Sequence, residues 1–237
     1  WQFGRVYSGV QTNKDLGPSI FDQPHRIMFN GTYTAPWKKN PTSVTMYFNR
    51  QSGTPFTFVY GGNGGRGDMN GDGSNANDPI YIPTGPSDPK QPFQNTTISG
   101  VAYTAAQQAA ALDKFIADYP CMANQRGQLM KRNSCRNPMF DRVDLTIEQQ
   151  LPQIRGERFT ARVEIFNFAN FLNSKWGQFR SATGNANLTL MQVQAMTNAD
   201  PATQVPVATF DPGFIRFFSG ASASQFYQIQ TSLRVSF

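Results

Sequence analysis

Few residues in this chain have types and spacing that could do chemistry. Asp68-Met69-Asn70-Gly71-Asp72-Gly73 sets oxygen donors at alternate positions with Gly at the sixth, the arrangement in which a chain turns sharply around a hard cation such as calcium. The bidentate Glu expected at the twelfth position is absent, for Pro79 stands there and Asp78 falls one residue early. Asp68, Asn70, Asp72 and Asp78 are therefore a candidate calcium set, against a plain Asn/Asp/Gly turn without metal. Cys121 and Cys135 are the only cysteines. In an oxidising exterior they close a disulfide worth about 3 kcal/mol, and in a reducing compartment they stay two free thiols.

Catalysis finds little support. His25 is the sole histidine, and no Ser or Cys motif surrounds it. Two cysteines and one histidine are too few for structural zinc. The expectation is a protein that is not an enzyme. The formal charge of +6 comes from scattered Lys and Arg with no basic block, which argues against nucleic acid as a partner.

The elements that must carry these residues read as strands. Gln225 to Phe237 alternates, with Tyr227, Ile229, Thr231, Leu233, Val235 and Phe237 on one face and Phe226, Gln228, Gln230, Ser232, Arg234 and Ser236 on the other. His25 to Ala35 alternates likewise. Thr42 to Tyr60 reads as one strand with a bend at Gly53 and Pro55; Phe140 to Leu151 and Arg158 to Ala169 follow, and Trp1 to Ser8 reads as the remnant of another. That makes about six strands. Their charges, Arg142, Asp144, Glu148, Arg158, Arg162, Glu164 and Arg234, all fall on the polar faces.

Connection lengths alternate between short and long. Pro36 to Pro41 and Pro152 to Glu157 are tight turns, whereas 61–138 and 170–224 are long. Thr104 to Tyr119 predicts an amphipathic helix in the first long connection and Leu188 to Met196 a short helix in the second. Short turns on one side and long loops on the other are the habit of outer-membrane barrels. Trp37 beside two Lys, and Phe237 at the end of the final strand, suit a membrane interface. The expected fold is all-β: an antiparallel transmembrane β-barrel segment with long extracellular loops, in contact with outer-membrane lipid. No apolar run approaches the roughly 18 residues of a spanning helix.

With the strands placed, the chain resembles the carboxy-terminal barrel of a TonB-dependent outer-membrane receptor of the Oar-like type, which carries a carboxypeptidase-regulatory-like domain. The matching stretches are Phe21-Asp22-Gln23-Pro24-His25-Arg26, Gln51-Ser52-Gly53-Thr54-Pro55-Phe56, Asn70-Gly71-Asp72-Gly73 with Asn77-Asp78-Pro79-Ile80-Tyr81-Ile82-Pro83, Arg132-Asn133-Ser134-Cys135-Arg136, Val163-Glu164-Ile165-Phe166-Asn167-Phe168-Ala169-Asn170 and Leu233-Arg234-Val235-Ser236-Phe237.

The resemblance implies a transporter of about 22 strands holding a plug on which the inner-membrane TonB complex pulls. The charged polar-face residues would then face that plug or line the path it opens. Six strands cannot close a cylinder, since the smallest membrane barrels have about eight. The remaining staves and the plug are therefore expected on an upstream segment or a separate chain. A small passive pore, or a secreted calcium-binding β-sandwich, would be the other classes.

Overall fold

The computed structural model describes residues 17–181, 187–200, 203–214, 218–219 and 226–237. In chain order the elements are β1 (Arg26–Thr34), β2 (Thr42–Gln51), β3 (Pro55–Gly61), β4 (Thr96–Ile98), β5 (Val101–Tyr103), α1 (Ala105–Ala117), α2 (Pro120–Ala123), β6 (Cys135–Arg136), β7 (Phe140–Gln150), β8 (Arg158–Phe166), α3 (Phe168–Leu172), β9 (Arg180–Ser181), β10 (Asn187–Met196), β11 (Pro206–Phe210), β12 (Phe218–Ser219) and β13 (Gln228–Ser236). They fall into two compact units. One holds 23–53, 138–181 and 217–237, and the other holds 1–22, 54–137 and 182–216.

The first unit is built on a five-stranded antiparallel sheet in the order β1-β2-β7-β8-β13, with α3 and the short β9-β12 ladder beside it in the same unit. Because each ladder is in register, residues of like chemistry line up across it. One face carries the row Gly31, Met46, Leu145, Ile165, Ile229 and beside it Tyr33, Val44, Ile147, Val163, Thr231. The opposite face carries Thr34, Ser43, Glu148, Arg162, Ser232. Gly31 leaves room for the Phe29 ring, whose nearest carbon would lie 2.9 Å from a Cβ at that position.

The apolar face is bare. Ile27, Phe29, Tyr33, Met46, Tyr227, Ile229, Leu233 and Phe237 are all exposed. A soluble sandwich would cover this face with a second sheet, because contiguous apolar surface of this extent is rare on a soluble monomer. Both short turns, 35–41 and 151–157, lie at one end of the sheet, and the long connections leave from the other.

Five strands make this sheet among the described residues, where about six were expected; Trp1 to Ser8 lies outside them. The stretch Thr42 to Tyr60 is two strands in two sheets rather than one bent strand. Ser52 turns its N–H to the His25 carbonyl at 2.8 Å, and Pro55, which has no N–H, opens β3 elsewhere. Every residue of β3 is buried. A strand covered on both faces has no solvent-facing side, so β3 belongs inside the second unit and not on the wall that β2 helps to form.

The second unit is built from the two long connections. Its sheet runs β11-β10-β3-β6, with β10 parallel to β3 and antiparallel to β11. The helix expected over Leu188 to Met196 is thus a strand. Burial of Leu188, Leu190, Met191 and Val193 against β3 outweighs local propensity, which is a weak determinant. The expected amphipathic helix does form as α1. It starts with a capping box between Thr104 and Gln107 and buries Leu112 and Ile116. Phe115 meets Phe58, Phe210 and Phe214 at 5.6, 5.9 and 5.7 Å between ring centroids, edge-on or tilted, which completes an aromatic core.

Candidate functional site

The polar face of the five-stranded sheet gathers all seven of the charges singled out from the sequence. Arg162 reaches Glu164 at 2.7 Å and Glu148 on β7 at 3.4 Å. Arg142 pairs with Asp144 at 2.9 Å. Arg158 and Arg234 are in no ion pair among the described residues. Arg26 joins this face and donates to Asn49 Oδ1 at 2.9 Å. Five arginines against three carboxylates leave it net positive.

A polar hollow on this face is lined by Ser43, Glu148, Arg162, Ser232 and Arg234. Half-exposed ion pairs of this kind contribute about 0–1 kcal/mol each. Their alignment on one side therefore says more about a wet interior than about stability. One further pair, Arg50 with Asp141 at 3.5 Å, lies at the long-connection end on the apolar side, next to the strand ends. Trp37 is exposed in the turn at the opposite end and donates from Nε1 to the Thr42 hydroxyl at 3.3 Å. Phe237 is fully exposed.

The stretch Val163 to Asn170 does structural work that spacing alone did not show. Asn167 sits at φ 54, a left-handed conformation that Asn tolerates, and ends β8. Its N–H donates to Asp144 Oδ1 at 2.8 Å and its amide to the Gly177 carbonyl at 3.0 Å. Gly177 is at φ 62, and a Cβ there would lie 2.0 Å from Asn167 Oδ1. Asn170 bridges the Ser174 and Trp176 carbonyls and accepts from the Tyr227 N–H at 3.2 Å. Two asparagines thus shape the chain leaving β8 and hold the start of the segment that becomes β13.

In the second unit Cys121 and Cys135 form the disulfide. It joins α2 to β6, with the cysteine of β6 fully buried. The Asp68 loop is tightly wound. Asp68 accepts from the N–H groups of Gly71, Asp72 and Gly73 at 2.8, 3.1 and 2.8 Å. Asn70 accepts from Asp72 N–H at 2.9 Å, and Asp72 from Ser74 N–H at 2.8 Å and the Asn77 amide at 2.7 Å. Gly71 and Gly73 take the positive φ that the winding needs.

Asp78 folds back onto this loop and accepts from Met69 N–H at 2.6 Å. Burial, and then the neighbouring Asp72 and Asp68, push its pKa up to about 6. Among the described residues no three His, Cys, Asp or Glu side chains form a ready metal cage. Elsewhere in this unit, Asp88 accepts from Thr84 and Lys90 N–H groups and from the Thr84 and Tyr81 hydroxyls. Partial burial works against its charge, but these donors prevail and hold its pKa down to about 2. Tyr60 is buried, which raises its phenol above the ordinary range, and its oxygen accepts from Tyr81 N–H at 3.1 Å.

A sheet with lipid-compatible side chains on one face and a charged, hydrogen-bonded opposite face is the wall of a membrane β-barrel, with short turns at one end and long connections at the other. A family model for the outer membrane beta barrel domain matches residues 3–230. The chain belongs to this outer-membrane β-barrel domain family, and its place is the outer membrane. No curated protein and no solved structure matches it. No described helix is long and apolar enough to cross a membrane, as a barrel that crosses with strands requires none.

Proposed function

We propose that this wall belongs to a TonB-dependent transporter, with the unit formed by 54–137 and 182–216 recognising cargo outside the cell. The carrying observation is the cationic polar face, where Arg158 and Arg234 lack ionic partners among the described residues beside the Arg162, Glu148 and Glu164 cluster. Such a face suits a lumen occupied by a polar plug supplied by another segment or chain. An open five-stranded sheet also calls for more staves, because unpaired N–H and C=O groups in lipid cost several kcal/mol each.

The second long connection and the first fold together as one unit, joined by the pairing of β10 with β3, while the disulfide closes a short loop within the first. Ordered, elaborated outer segments suit ligand recognition better than simple connection. On this reading 61–138 and 170–224 lie on the extracellular side.

The test needs no cargo. Ser232→Cys, in the polar hollow, is labelled with a membrane-impermeant maleimide in intact cells with and without the inner-membrane TonB complex. An energised plug gives faster labelling when that complex is active. Equal labelling in both strains would favour a passive pore and overturn the transporter reading.

A further inference from the structure

We propose that the loop from Asp68 to Asp78 is a calcium site that pins the chain from Asp78 to Ile80 alongside β3. The spacing of its donors is one observation. The second, independent one is burial: Asn77 and Asp78 are 3% and 2% exposed, and Oδ1 of each has no hydrogen-bond partner. The remaining polar atoms of both side chains hold them to this loop, Asn77 through Asp72 and Asp78 through the N–H groups of Met69 and Asn70. Two carbonyl-type oxygens are therefore shut away from water beside the winding of the loop.

Leaving a polar atom buried without a partner is costly, and native structures keep such cases few. Asp68, Asp72 and Asp78 bring three carboxylates into the same short segment. Among the described residues none of them pairs with a Lys, Arg or His. Negative charge without a cation and oxygen without a donor are both answered by one hard cation. Calcium accepts amide and backbone carbonyl oxygens as readily as carboxylates, so a set with fewer than three free carboxylates still serves. Magnesium demands stricter octahedral geometry and retains its waters, which fits this irregular set poorly.

The consequence is mechanical. The Asp78 carbonyl accepts from Tyr60 N–H at 2.9 Å and Ile80 N–H returns to the Phe58 carbonyl, so the chain just after the loop is laid along β3. At the loop's other end Asn75 accepts from Gly67 N–H at 2.6 Å, and the Asn187 amide at the start of β10 reaches the Ala76 carbonyl at 3.1 Å. A cation at Asp78 would thus tie the loop to both β3 and β10. This site stands whether the barrel is energised or passive.

The whole protein in detergent, stripped with chelator and dialysed, is titrated calorimetrically with calcium chloride. One equivalent should bind with a dissociation constant at or below about 1 mM, the range of extracellular calcium modules. Asp78→Asn should weaken it at least tenfold, while Asp88→Asn, outside the loop, should leave it unchanged. Chelation should also speed protease cleavage within 66–78. The absence of saturable heat in the wild type up to about 10 mM, equal affinity for magnesium, or wild-type binding by Asp78→Asn would overturn the assignment.

Discussion

Leu233 offers the sharpest test of which side of the sheet meets lipid. It lies one position from the middle of β13, 62% exposed, opposite Ala161 on the apolar face. If that face met water, Leu233→Arg would be a surface change within about ±0.5 kcal/mol. In a bilayer the same arginine stands near the midplane, where it costs about 2–4 kcal/mol. That corresponds to roughly 30- to 1000-fold in the folding equilibrium. The matched control is Gln230→Arg on the polar face, opposite Glu164, where added positive charge meets a carboxylate. It should cost nothing measurable. The assay is the urea midpoint of the whole barrel reconstituted in lipid vesicles, with its slope checked for constancy. A Leu233→Arg loss below about 0.5 kcal/mol, or equal losses at 233 and 230, would refute the assignment of faces.

Two other outcomes follow from the second unit. Removing the disulfide with Cys121→Ser/Cys135→Ser should cost about 3 kcal/mol and appear as lower thermal stability and faster proteolysis of 54–137, with the barrel sheet unaffected. Asp88 has a folded pKa below its unfolded value, so it adds stability above about pH 3.8 that is lost as pH falls through about 2. Acid unfolding followed by Tyr fluorescence should show that step, and Asp88→Asn should remove it.

The barrel wall was legible in the sequence because its strands lie between two solvents. A period of two, with Val, Leu, Ile on one side and Arg, Glu, Ser on the other, marks β7, β8 and β13 without reference to any partner. Helical spacing of Leu112, Phe115, Ile116 and Tyr119 marked α1 in the same local way, since those positions lie within a few turns of one another. The Asp68 spacing was legible too, and so was the choice of cysteine partners, since there are only two.

Tertiary structure decided what depends on distant chain. β3 and β10, more than a hundred residues apart, become parallel neighbours, and the burial of Leu188 to Val193 makes a strand where local pattern suggested a helix. The division of Thr42 to Tyr60 between two sheets has the same origin: Gly53 and Pro55 marked a bend, but only the burial of β3 on both faces and its pairing with β10 and β6 move it to another sheet. The burial of Asn77 and Asp78, which turns a familiar turn sequence into a candidate cation site, is likewise a consequence of their position beside β3. Sequence determines which faces prefer lipid or water, since that is a property of each side chain. Which strands meet, and which polar atoms end up without water, is set only when remote segments pack.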